Sequence, residues 1–159
     1  MAGDLKTSAE PWRIIADMWN TYFTSPSRVS PDEAKKYNEW LKEINKKKAL
    51  VLGVTPEIRE ALIELDYEIT CIDINPEMAK AMDSVLKVKS QKEIMIIENW
   101  LNNTLKDNSF DIVLGDAVLP NVPWEQREKL MSEVSRVLKP EGLFITRAFC
   151  VPRKNLLKM

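Results

Sequence analysis

Up to residue 44, apolar side chains recur at helical spacing; from residue 49 they fall into short runs bounded by turn signals. Trp12, Ile15, Trp19, Tyr22 and Phe23 mark one face of a helix over 11–23, which "TSPSR" ends. A second helix opens at "SPDE". Ser30 reads as its N-cap, Pro31 takes the first position, and Glu33 completes an S-x-x-E capping box. Ala34, Tyr37, Leu41 and Ile44 give it a buried stripe. Lys46 to Lys48 read as a helix C-terminus favoured by positive charge.

Strands and helices then alternate. "ALVLG" predicts a strand, and Pro56 to about Leu65 a helix. "EITCID", Glu68 to Asp73, is the next strand. Asn75 caps a helix that starts at Pro76 and turns Met78, Met82, Val85 and Leu86 inward. "EIMII", Glu93 to Ile97, is the third strand, and "NNTLKDNS" is loop. "FDIVLG", Phe110 to Gly115, is the fourth. A helix from about Pro123 to Leu138 stops at "KPEG", and "LFITRAF", Leu143 to Phe149, is the fifth strand. Such alternation predicts an α/β fold: an open, doubly wound, mostly parallel sheet with helices on both faces.

Composition narrows the classes. A chain of 159 residues fits a single domain, with an N-terminal helical segment at 1–48 and an α/β core at 49–149. The net charge of −1 speaks against a nucleic-acid partner. No apolar run is long enough to span a bilayer, and Lys6, Glu10 and Arg13 interrupt any signal-peptide core. The two cysteines, Cys71 and Cys150, lie far apart, and Cys71 reads as a buried thiol inside a strand. A reducing, cytoplasmic location fits this usage. The chain has no histidine and no CxxC pair, so His-based catalysis is excluded and no metal site is expected.

In doubly wound sheets, ligands bind outside the carboxyl ends of the strands. Gly53, Val54, Thr55, Asp73, Ile74, Glu98, Asn99, Trp100, Gly115 and Asp116 sit there. Asp73 follows Gly53 by twenty residues, the spacing at which a carboxylate accepts hydrogen bonds from ribose hydroxyls. A dinucleotide loop would read G-x-G-x-x-G, but its three slots hold Gly53, Thr55 and Ile58. The later glycines let backbone approach a pyrophosphate and let the helix pack closely. A ligand with adenosine and no pyrophosphate needs neither as strictly, and S-adenosylmethionine is such a ligand. Thr55 reads as a helix N-cap in preference to a ligand contact.

The stretch from Ala49 to Phe149 resembles the class I S-adenosylmethionine-dependent methyltransferases. "RVLKPEG" carries the strongest likeness, within "LMSEVSRVLKPEGLFI"; "LKDNSFDIVLGDAVL" and "DINPEM" add to it. The glycine-poor loop after the first strand departs from the family's usual form. The resemblance implies strand order 3-2-1-4-5 and S-adenosyl-L-methionine as cofactor. It gives Asp73 the ribose, Ile74 the adenine face and Asn99 the adenine amino group. Trp100 covers the adenine or packs in the core. Gly53 and Val54 line the methionine portion. Asp116 lies beside the sulfonium and the acceptor, and is the first candidate for a base if the reaction uses one. Trp12 and Trp19 read as packing on the domain, although helices before the first strand often cover the substrate site in this family.

The family's core normally continues with a helix and two more strands, so the resemblance implies a sheet cut short after the fifth strand. That strand is then expected to be an open edge and the chain to self-associate through it, most simply as a two-fold homodimer. The alternative is that the tail "CVPRKNLLKM" folds back over that edge. The expected function is methyl transfer to an unidentified acceptor, with a small molecule favoured. The competing readings are a non-catalytic S-adenosylmethionine-binding or interaction module and, against the loop, a nicotinamide dehydrogenase.

Overall fold

Successive residues of a strand face opposite sides of a sheet, so alternation decides which helix packs where. The computed structural model describes residues 9–45 and 47–149; Lys46, Cys150 and the tail 150–159 lie outside the described residues. Five parallel strands form one sheet in the order β3-β2-β1-β4-β5, as the family resemblance implies. They are β1 (Lys48–Leu52), β2 (Glu68–Asp73), β3 (Glu93–Ile97), β4 (Phe110–Asp116) and β5 (Leu138–Arg147). The helices are α1 (Ala9–Tyr22), α2 (Pro31–Lys42), α3 (Pro56–Glu64), α4 (Pro76–Val85) and α5 (Arg127–Val137).

Ala49, Val51, Ile69, Cys71, Ile112 and Leu114 point to one face and pack with Tyr37 and Leu41 of α2 and with Ile58 and Leu62 of α3. Leu50, Leu52, Ile72 and Val113 point to the other, against Leu130, Val134 and Val137 of α5. β1 and β4 are buried almost throughout, as befits central strands covered on both sides. α1 packs on α4, where Ile15, Ala16 and Trp19 cover Val54, Ala79 and Met82.

The local signals act as expected. The Ser30 hydroxyl accepts from the Glu33 amide, and Glu33 Oε2 accepts from the Ser30 amide at 2.8 Å, closing the capping box. The Asn75 side chain accepts from the amides of Glu77 and Met78. Thr55 takes the N-cap position of α3, but its hydroxyl makes no capping bond. The lysine cluster does not end a helix: α2 stops at Lys42, and Lys47 and Lys48 lie over the rings of Tyr67 and Phe110.

The last third departs from expectation. "KPEG" is not a turn before β5 but a bulge inside it, with a register shift opposite Phe110 and Ile112. Pro140 has no N–H for the ladder, and Glu141 relieves the bulge with φ +65. β5 accordingly runs from Leu138 to Arg147, and a 3-10 turn, Trp124–Gln126, precedes α5.

Two arginines stand out. Arg59 of α3 is 1% exposed and donates two 2.7 Å bonds to Glu93 and one to Asp83. Cys71 is buried beside Glu93, and burial pushes its thiol pKa up. Arg136 of α5 donates to the Leu105 carbonyl, to Asp107 and to Asn103, fastening the helix-free 98–109 connection. Among the described residues, no helix is long and apolar enough to cross a membrane.

Candidate functional site

A cleft of about 490 Å³ opens at the carboxyl ends of β1, β2 and β4. It falls in the size range of small-molecule sites. Of the strand-end residues, Gly53, Val54, Thr55, Asp73, Ile74, Asn99, Trp100 and Asp116 all line it. Glu98 and Gly115 do not.

Gly53 ends β1 with φ +97, a conformation L side chains rarely adopt. Its amide donates to the Ile72 carbonyl at 2.8 Å, which also accepts the Trp100 indole N–H at 2.8 Å. One carbonyl thus ties the turn to the tryptophan wall. A Cβ at Gly53 would stand 3.6 Å from the Trp100 ring and 3.9 Å from Asp73 Oδ2. The turn therefore opens directly between an aromatic face and a carboxylate.

Asp73 is 6% exposed, and burial raises its pKa above the ordinary 3.8. Its Oδ1 accepts the Asn75 amide at 2.8 Å, which orients the carboxylate. Ile74 is exposed at the rim. Asn99 accepts the Leu101 amide at 2.9 Å, so its oxygen serves the loop that forms that wall.

Asp116 has a partner the sequence reading missed. Arg147 donates Nε to Oδ1 at 2.6 Å and Nη2 to Oδ2 at 2.9 Å, engaging both carboxylate oxygens. The same guanidinium reaches the Pro26 carbonyl at 2.8 Å and the Glu33 carboxylate. Behind this pair lies Tyr37, whose hydroxyl pKa burial pushes up to about 12. Arg147 was visible as the lone charge in "LFITRAF"; a cation inside an apolar strand calls for a buried partner.

Gly115 is corrected: it does not face the cleft. A Cβ there would fall 2.3 Å from Val118 Cγ2 and 2.9 Å from the Leu52 carbonyl oxygen, so the residue is small because β1 and the following turn need the space. Glu98 closes its own loop, accepting the amide and hydroxyl of Thr104 at 2.7 Å. Trp12 of α1 joins the cleft wall, whereas Trp19 packs over Val54 and Ala79. Asn121, Val122 and Gln126, from the turn after β4, form the wall beside Asp116. The strand-end rule points at that turn, but its residue types carry no signal of their own. Among the described residues, no group of three His, Cys, Asp or Glu side chains could hold a metal ion.

A family model described as methyltransferase domain matches residues 52–146. An uncharacterised protein of Haemophilus influenzae is 37% identical over 70 residues, which make up 43% of this chain and 28% of that protein. The chain thus spans well under two thirds of that relative's length. The fold is similar to phosphoethanolamine N-methyltransferase 2 of Haemonchus contortus in complex with S-adenosyl-L-methionine, with TM-score 0.68 and 20% identity over 90% of this chain and 33% of that one. It is also similar to an S-adenosylmethionine-dependent methyltransferase of Methanosarcina mazei, with TM-score 0.58 and 25% identity over 75% of this chain and 57% of the other.

Proposed function

Because the chain belongs to the methyltransferase domain family, we propose that its cleft binds S-adenosyl-L-methionine and that the protein transfers the methyl group to an acceptor. The observation that carries this reading is the open turn at Gly53 facing the buried carboxylate of Asp73. Asp73 would accept the ribose hydroxyls. Gly53, Val54 and Thr55 would border the methionine portion. Ile74, Asn99 and the Trp100 wall would border the adenine. When bound, the cofactor supplies an electrophilic methyl on a sulfonium. The chain contributes position and exclusion of water, which can supply much of the acceleration in an in-line displacement.

Asp116 lines the cleft and would border the acceptor end. Its paired oxygens support a structural task, anchoring Arg147, in preference to that of a base. Calorimetry with S-adenosylmethionine, S-adenosylhomocysteine and NADH tests the proposal. The first two are expected to bind with dissociation constants on the order of micromolar. Binding of NADH alone would replace the reading with a dehydrogenase-like one. Cofactor binding without methyl transfer would leave the non-catalytic module.

Self-association through the β5 side remains part of the proposal. β5 is an outer strand of the described sheet, and Leu143 is half exposed on it. Light scattering at several concentrations is expected to show a dimer; a strict monomer throughout removes it.

A further inference from the structure

Two arginines pin the connection between α1 and α2, residues 23–30, to opposite lips of the cleft. One lip is the turn after β1, where Gly53, Val54 and Thr55 lead into α3. The other is Asp116 at the end of β4. Arg28, inside the connection, donates Nε to Glu57 in the first turn of α3, two positions beyond Thr55. Its Nη1 donates to the Trp19 carbonyl at 2.9 Å and its Nη2 to the Asn20 side chain at 3.2 Å, so it also holds the end of α1. The Trp19 indole N–H reaches the same Glu57 oxygen at 3.4 Å. Arg147, from β5, grips both oxygens of Asp116 and also reaches the connection. There Nη2 donates to the Pro26 carbonyl at 2.8 Å and Nη1 to the Arg28 carbonyl at 3.3 Å.

Neutralising Asp116 would take a single cation, and a lysine ammonium would serve. The planar fork of arginine does more: it engages both carboxylate oxygens and two main-chain carbonyls at once. The Arg147 and Asp116 side chains are 10% and 11% exposed, and Glu57 is 10% exposed, so water competes little for these bonds. The chain of contacts is continuous. It runs from Asp116 through Arg147 to the Pro26 and Arg28 carbonyls, and from the Arg28 guanidinium to Glu57 beside the turn after β1.

We propose that Arg28 and Arg147 form one strap that sets the separation of the two cleft lips, and that Arg147 is thereby a positioning residue for cofactor binding, although its own side chain does not line the cleft. The inference rests on the reading just given, in which the cofactor borders both the turn after β1 and Asp116. Such a ligand is held best with both latches closed. It selects that arrangement and in return tightens the strap, by the reciprocity of linked equilibria. The two arginines then act as a unit: opening either latch frees the lips, and opening the second adds little.

The test uses the whole chain and S-adenosylhomocysteine. Calorimetry compares the parent with Arg147→Lys, Arg28→Lys and the double variant. Lysine keeps each charge beside its carboxylate and gives up the forked bonds. Each single variant is expected to bind about tenfold more weakly, and the double variant within about twofold of the weaker single. Hydrogen exchange over residues 23–30, read by mass spectrometry, adds a measure that a purely structural role would not move. The Arg28 amide donates to the Thr24 carbonyl at 3.1 Å inside this segment. Saturating ligand should slow exchange there in the parent and leave it unchanged in Arg147→Lys. Parent-like affinity of Arg147→Lys, a double variant weakened about a hundredfold as two independent sites would be, or no slowing in the ligand-saturated parent overturns the strap. The last of these needs no variant to fold. A parent that binds no S-adenosylhomocysteine fells the cofactor reading and the strap's role together; a parent that binds, with any of the other contrary results, fells only the strap.

Discussion

Arg59→Leu is expected to lower the stability of the fold by about 3–5 kcal/mol, the usual cost of removing one partner from a buried ion pair. Arg59 side-chain exposure is 2%, and Glu93, which accepts two of its bonds, is 10% exposed. Leucine would fill part of the volume and leave the Glu93 carboxylate without its counter-ion, beside a thiol that cannot neutralise it. Asp83 suffers less because Lys89 also holds it. The pair is not ideally satisfied, since Arg59 Nη1 meets no acceptor among the described residues. Replacing both partners, Arg59→Leu with Glu93→Leu, should therefore recover most of the loss. Urea unfolding of the parent, the single and the double variants measures this. A single variant within about 1 kcal/mol of the parent would mean that the ion pair contributes little.

The second large effect is on ligand affinity. Asp73→Ala should weaken S-adenosylmethionine binding by about 1.5–3 kcal/mol, the worth of hydrogen bonds to an ionised acceptor. Unchanged affinity by calorimetry, in a variant shown to be folded, would remove Asp73 from the site. The raised pKa gives this residue two opposite pH effects. Cofactor affinity should fall as pH drops through the folded pKa, because the protonated carboxyl loses its charge-assisted bonds. For stability, a carboxyl whose pKa rises above the ordinary 3.8 on folding favours the fold at low pH. That contribution is lost as pH rises from about 3.8 through the folded value. Asp73→Asn should thus bind cofactor less well at neutral pH while the unliganded protein is no less stable.

Most of the sheet was legible because local chemistry and burial agree along it. Leu50 and Val51 face opposite helices, Asn75 caps α4 through the amides of its near neighbours, and Gly53 stands where φ must be positive. Asp73, singled out by its spacing from Gly53 and by "DINPEM", lies on the cleft wall. The failures share one cause: a role set by a partner distant in sequence or in the fold. Gly115 is small because Leu52 on β1 and Val118 need the space. Asp116 is bound by Arg147, thirty-one positions later. The bulge at Pro140 arises only when β5 must pair with β4. Trp12 reaches the cleft because α1 docks on α4, which no property of α1 alone predicts.

Arg136 bears on how a newly made chain acquires its cleft. Its guanidinium holds Asn103, whose amide in turn bonds the Trp100 carbonyl at 3.2 Å. Ser109 and Asn108 also donate to backbone carbonyls at the end of α5. The wall from Asn99 to Leu101 is therefore fastened by a residue translated well after it. On a ribosome that adds residues in order, β1 and β2 are available well before that wall can be fixed. Binding stabilises only a state that already holds the site. The cofactor can thus secure the finished fold, but it cannot guide the early sheet into shape.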